Sequence, residues 1–452
     1  MLSPACKFIP VALLSIVAFV PNSFGADSIS SAAVTHEEIR TTFARYRAEL
    51  FGLYEQLHAN PELSLQEEKT SATLATRMRT LGFEVTENIG GFGLVCILKN
   101  GPGKTILVRT DMDALPVEEK TGLPFASKVR TKDALSREVS VMHACGHDFH
   151  MTCWYGAARL LASMKERWSG TLVFIAQPAE EIGAGAQAML KAGLFERFPK
   201  PDLCLAMHTM NGMPAGSVGL TSGVASANTD SVDVVVHGLG GHGAMPDKTK
   251  DPVVLASQIV LTLQTIRSRE LSPQEPAVLT VGSIHGGSKH NIIPDEVRLQ
   301  ITIRTVSAEA RAKALAAIAR IAKGQGIAAG LPEKLLPEVL SVGTHTPMLT
   351  NDLALTARLR EIFATLLGSG NVLERKPMMG GEDFSRYGTT NDKIPICLFW
   401  VGATSSADLA AASDSGTEAA SLHSPFFHPE ASVSLPVGVS AMSAALLDQL
   451  KK

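Results

Sequence analysis

Apolar and polar positions along the chain first fall into helical steps. Between 36 and 58, Ile39, Phe43, Tyr46, Leu50, Leu53 and Leu57 recur every three or four residues, which is one face of an amphipathic helix. A second helix is expected over about 66–81, where Gly82 can supply the left-handed turn that closes it. The pattern then shortens to β-rich runs: "GLVCILK" (93–99), "KTILVRT" (104–110), "TLVFIAQ" (171–177), "DLCLAMH" (202–208) and "IPICLFWV" (394–401). Helical patterns, for example 151–165 and 184–192, separate most of them. Strands alternating with helices predict an α/β fold, a sheet covered by helices on both faces.

The texture changes between about 218 and 333. "DSVDVVVHG" (230–238) alternates like a half-exposed strand, a helix is expected over 252–266, then strands at 277–287 and 296–305, then a helix over 307–324. This order suits a small antiparallel sheet with helices on one face, inserted into the first domain. The predicted organisation is 27–217 and 334–452 for the two parts of the main domain and 218–333 for the insertion. The segment "SSADLAAASDSGTEAAS" (405–421) reads as a mobile surface loop.

At the N-terminus, Lys7 precedes the apolar run 8–20, and small residues Ser23 and Gly25 follow. This resembles a secretory signal peptide, 1–25. The run falls short of the ~20 residues a membrane span needs. A protein that is secreted or periplasmic, without a stable span after cleavage, is expected. An uncleaved anchor is the alternative.

Composition narrows the function. Apolar residues make up 45% of 452, enough for a sizeable core, and the net charge of −3 carries no basic stripe, which argues against a nucleic-acid partner. Cys6 falls within the signal peptide, and the remaining five cysteines are an odd number. Cys96, Cys204 and Cys397 lie in apolar strand-like runs and read as buried thiols. Cys145 lies instead in "MHACGHDFHM" (142–151), among histidines and an aspartate.

Several polar clusters follow the apolar strands directly, where ligands bind in open α/β sheets. Cys145 and His147 are two apart, and Gly146 allows a turn that aims both at one point. Thiolate and imidazole suit zinc-like metals, although a core cysteine beside surface histidines has the same spelling. In "QPAEEIGAGA" (177–186), Glu180 and Glu181 suit two tasks, metal ligand and general base on bound water. A solvated pair at a helix N-terminus is the plainer reading. In "RTDMDALP" (109–116), Asp111 and Asp113 could orient a histidine or cap a turn. His208 and His423 are lone histidines, each weak by itself. In the inserted region, His242 in "GLGGHGAMP" (238–246) and Asn291 in "HGGSKHNIIPDEV" (285–297) could stabilise an oxyanion, or simply sit in turns between strands.

In order, "LHANPELSLQE", "RTDMDALPVEE", "HACGHDFH", "QPAEE", "GGHGAMP", "NIIPDEV", "GGEDFS" and "HSPFFHPE" resemble the amidohydrolase branch of a co-catalytic metallopeptidase family, over 57–430. That branch includes hippurate hydrolase, bacterial N-acyl-amino-acid amidohydrolases and plant auxin-conjugate hydrolases. The resemblance implies a mixed sheet flanked by helices, with an inserted smaller α+β lid or dimerisation domain. It implies two divalent metal ions per subunit, manganese or zinc, with cobalt or nickel also compatible. Cys145, His147, Glu181, His208 and His423 are then the ligands, Cys145 able to bridge both ions. Glu180 is the general base and Asp113 the orienting carboxylate. His242 resembles a lid histidine that can reach a partner's site in a homodimer or higher homo-oligomer. Asn291 is a candidate substrate contact, and His143 and His150 are expected to support the site from behind. The implied reaction is hydrolysis of a small-molecule N-acyl amino acid to a carboxylic acid and a free amino acid. A dipeptidase or carboxypeptidase, or a metal- or amino-acid-binding protein without catalysis, are the alternatives.

Overall fold

The computed structural model describes residues 36–452, so the signal-peptide reading of 1–25 lies outside the described residues. Four fully parallel strands form the middle of an eight-stranded sheet: Gly170–Gln177, Thr105–Asp111, Leu203–Pro214 and Ile396–Thr404, in that spatial order. Leu94–Asn100 and Glu84–Thr86 add antiparallel strands at one side. Val218–Leu220 and Val372–Glu374 complete the other side.

The central strands are buried along nearly their whole length, so their runs read as continuous apolar stretches. One face packs on the helices His36–Ala59, His147–Ser163, Leu353–Leu367 and Ala431–Gln449, through residues such as Leu50, Trp154, Phe363 and Leu446. The other face packs on Met189, Phe195, Phe384 and Tyr387. Ala431–Gln449 is long and apolar enough to cross a membrane, but here it is a core helix against His147–Ser163.

The inserted region forms a four-stranded antiparallel sheet in the order Ala277–Gly286, Glu296–Thr305, Asn228–His237, Glu338–Thr346. Helices Pro252–Thr265 and Ala308–Ala328 share one apolar cluster with it, through Leu255, Ile259, Leu299, Ile301 and Ile318. Strand membership moves the expected edges of 218 and 333. Val218–Leu220 belongs to the large sheet, while Glu338–Thr346 is the fourth strand of the small one.

A second correction concerns 405–421, expected as a loop. Ser406–Ser415 is a helix, with the Ser405 hydroxyl accepting from the Asp408 amide as its N-cap. Alanine is the strongest helix former, and this segment holds four within the helix, although none of its residues is buried.

Candidate metal centre and catalytic carboxylates

The parallel strands end together at one edge, and the chemistry gathers there. Asp111 closes Thr105–Asp111, and the Glu180–Glu181 pair follows Gly170–Gln177. His208 lies in Leu203–Pro214, paired across to Trp400, whose ring is 5.5 Å from the imidazole.

Cys145 and His147 meet the strands from the start of the His147–Ser163 helix. Gly146 has φ +79°, and a Cβ there would lie 2.7 Å from Thr209 Oγ1, so both backbone angle and space require glycine. This turn brings both flanking side chains to one point. The ligand atoms of Cys145, His147 and His208 lie within 4.8 Å of one another, as do those of Cys145, Glu181 and His423, and those of His147, Glu180 and Glu181. Cys145 Sγ is 3.5 Å from His208 Nε2, and His423 Nε2 is 3.5 Å from a Glu181 oxygen. Cys145, His147 and Glu181 are therefore each common to more than one donor set.

The residues fit such ions. Both ring nitrogens of buried His147 and one oxygen of Glu181 lack hydrogen-bond partners. Orphaned buried polar atoms are costly unless something else meets them. His208 Nδ1 donates to the Thr209 carbonyl at 2.6 Å, which leaves the Nε2 lone pair facing Cys145. Thiolate, imidazole and carboxylate together suit zinc-like or manganese-like ions better than magnesium or calcium.

Asp113 holds the glutamate pair in place. Its oxygens accept from the amides of Glu180 (3.1 Å) and Glu181 (3.0 Å) and from the Ser64 hydroxyl (2.6 Å). Burial opposes its charge, yet His147, Ser64 and the Glu181 amide keep its pKa below the usual carboxylate range. Glu67 accepts from the Ala179 amide at 2.8 Å, and Ala179 takes φ +54°, an uncommon angle for a residue with a side chain. His423 has φ +67°, and its amide donates to the Ala144 carbonyl at 2.8 Å. Burial, then Glu382 and Glu181, push Glu180 well above the ordinary carboxylate range; burial raises Glu181 to about 7.

Beneath the pair lies a charged tier that sequence reasoning left without roles. Arg109, fully buried, donates to Asp111 (2.6 Å), Glu382 (3.0 Å), Asp383 (3.1 Å) and Gln177 (3.1 Å). Glu180, Glu382 and Asp383 have oxygens within 4.8 Å of one another. An arginine inside the apolar run "ILVRTD" was the available signal, because a buried guanidinium needs countercharges. His150 is a supporting residue: its Nε2 accepts from the Thr209 amide at 2.8 Å and its Nδ1 meets Asp111 at 2.8 Å. His143 is also buried, with neither ring nitrogen partnered, and burial lowers it to about 4.

The lid residues stand apart. His242 lies in a two-stranded ribbon, Gly241–His242 against Ile292–Ile293, and Asn291 immediately precedes the second strand, its carbonyl accepting from the Gly243 amide. Both are exposed, and neither belongs to the donor sets above.

A profile of peptidase family M20/M25/M40 matches residues 107–425. The chain is 39% identical over 334 residues to a hippurate hydrolase of Campylobacter jejuni, covering 73% of this chain and 82% of that one. It is 37% identical over 353 residues to thermostable carboxypeptidase 2 of Saccharolobus solfataricus, covering 77% and 84%. An IAA-amino acid hydrolase of Arabidopsis thaliana is 31% identical over 405 residues, covering 89% and 86%. A solved Bacillus subtilis structure, described as a dinuclear metal binding peptidase, superposes with a TM-score of 0.72 at 29% identity, covering 90% of this chain and 99% of that one. With the strand-edge donor sets and the paired glutamates in place, these likenesses identify the chain as a metal-dependent hydrolase of amide bonds that belongs to peptidase family M20/M25/M40.

Proposed function

We propose that the chain hydrolyses N-acyl amino acids, hippurate-like amides, to a carboxylic acid and a free amino acid. The observation that carries this reading is the glutamate pair. Glu181 joins the Cys145 and His423 donors, while its neighbour Glu180 lies over the Arg109 tier with its amide held by Asp113. We assign manganese or zinc to the site, held by Cys145, His147, Glu181, His208 and His423. Such ions polarise a carbonyl and acidify bound water.

The protein's own groups move the proton. Glu180 takes a proton from water as its oxygen bonds to the amide carbon. The same carboxyl returns that proton to the nitrogen as the C–N bond breaks, so one group serves as base and then acid. Asp113 keeps the two glutamates in register throughout. His242 donates to the developing oxyanion, from the partner subunit in a homodimer, and Asn291 beside it contacts substrate. The leader-like residues Lys7 and 8–20 support export to the periplasm or beyond.

The test is amino-acid release by the purified protein from N-acyl amino acids and dipeptides, with chelator and after manganese or zinc is restored. Chelator-sensitive release from N-acyl amino acids is expected. Faster release from dipeptides would favour a peptidase, a reading that the likeness to the carboxypeptidases keeps in play.

A further inference from the structure

Two groups of residues surround the catalytic carboxylates, one on the inserted region and one on the His423 loop. Gly183, two residues past Glu181, abuts Thr346 at the end of the lid strand Glu338–Thr346; a Cβ on it would lie 2.6 Å from Thr346 Oγ1. In this first group Arg386 donates to the His345 carbonyl, and its buried Nε has no partner. Arg304 donates to Thr229 Oγ1 at 2.5 Å, beside Gly381. Among the described residues no ion pair joins either guanidinium to a carboxylate, although Asp230 acts on Arg304 and Asp383 on Arg386 at longer range.

The second group begins at His423, whose side chain is 54% exposed. Just beyond it a cleft of about 380 Å³ is lined by Thr121, Thr404, Ala411, Ala412, Phe426 and Phe427, among others. One contact ties it to the centre, and two further features fix its walls. The Phe427 ring lies 3.5 Å from the position of a Gly146 Cβ, between Cys145 and His147. Thr404 ends the parallel strand next to the one that carries His208. The Lys120 amide donates to the Pro425 carbonyl at 2.7 Å, which binds the wall that includes Thr121 to the His423 loop. No lysine or arginine lines the cleft, while Asp408 and Glu418 do.

We propose that this cleft receives the acyl half of the substrate, and that it selects a bulky neutral acyl group, aromatic or medium-chain, over acetyl. The inference rests on the N-acyl amino acid reading above. Such a substrate has one anionic end and one neutral end. Asp408 and Glu418 repel a carboxylate, so the cleft takes the neutral end of the substrate and the anionic end points away from it. The volume lies within the ~300–1,000 Å³ usual for small-molecule pockets, which an acetyl group leaves largely unfilled. Phe426, 54% exposed at the cleft, presents an aromatic face that an apolar acyl chain covers.

The experiment measures kcat/KM for N-acetyl, N-benzoyl and N-octanoyl derivatives of one amino acid. It uses the metal-loaded protein and the variants Ala412→Trp and Phe426→Ala, with circular dichroism and metal content as controls. Should Ala412→Trp fail to fold, Ala411→Leu on the same surface helix fills the cleft more gently. The protein as it stands should prefer benzoyl or octanoyl to acetyl by at least tenfold. Filling the cleft should cut that ratio at least tenfold, and Phe426→Ala should erode it mainly through KM. A preference for acetyl, or a ratio that no variant moves while hydrolysis persists, overturns the cleft assignment alone. No release from any N-acyl amino acid, with dipeptides cleaved, overturns the proposed function and this inference with it.

Discussion

Two strands of this chain treat polar groups in opposite ways. In the lid strand Glu296–Thr305, Val297, Leu299, Ile301 and Ile303 are buried, while Glu296, Arg298 and Gln300 between them face water. In the catalytic strand Thr105–Asp111, every residue after Thr105 is buried, Arg109 and Asp111 included. The lid strand hands its polar groups to solvent. The catalytic strand must find each partner inside the protein, so Arg109 meets Asp111, Glu382, Asp383 and Gln177. Desolvated groups held by fixed partners give a site whose electrostatics act at close range. The centre is accordingly built at the ends of the buried strands, while His242 and Asn291 of the inserted region are exposed and outside it.

The sharpest way to test this contrast is at the pair itself. Glu180→Gln should lower kcat by about 10²–10⁴-fold while bound metal, read by elemental analysis, stays at the level of the unaltered protein. Near-normal kcat would remove Glu180 from its role. Next in size, Arg109→Met should cost about 3–5 kcal/mol in denaturant unfolding, because it leaves buried carboxylates without a countercharge. Arg298→Met in the lid should stay within about 0.5 kcal/mol. Equal costs would end the comparison.

A smaller effect is expected from His58. Its imidazole lies between Asp148 (2.6 Å) and Glu119 (2.9 Å). Burial opposes its charge, but the hydrogen bonds to Asp148 and Glu119 raise it to about 10. The folded protein therefore holds a proton that the unfolded chain releases near 6.5. The stabilisation is complete below about 6.5, declines as pH rises, and is gone above about 10. The gap in melting temperature between the unaltered protein and His58→Gln should be widest at neutral or lower pH and narrow toward pH 10; a constant gap would refute this. More local still, Ser405→Ala should loosen one helix end by about 0.5–2 kcal/mol. Faster amide exchange across Ser406–Ser415 with an unchanged global melt is the expected signature.

What could be read in advance follows the same division. Periodicity predicted His36–Ala59 and the alternating strands of the lid, because water on one side leaves a regular imprint on sequence. The short strands Val218–Leu220 and Val372–Glu374 have too few residues to show a period. Glu338–Thr346 pairs with Asn228–His237, a partner more than a hundred residues earlier, so local pattern could not place it in the lid. Ser406–Ser415 was hidden by composition, since serine and alanine without an apolar face look like loop. In the site, the spacing around Gly146 suggested that Cys145 and His147 converge, and the ligand atoms do. The roles of Glu382, Asp383 and Glu67 were not legible, because they depend on which buried donor each carboxylate meets after folding.

The order of residues around Cys145 also bears on how each copy matures. Cys145, His147, Glu181 and His208 are synthesised before the lid, and His423 only after it. At ~5–20 residues per second, a ribosome makes the last of these donors roughly 10–40 s after His208. During that interval the Leu203–Pro214 strand also lacks its neighbour Ile396–Thr404, which comes later still than the lid. A nascent chain thus carries a thiol and an unpaired strand edge together until the later strand is made. The donor set that His423 completes therefore exists only once the whole inserted region has been made.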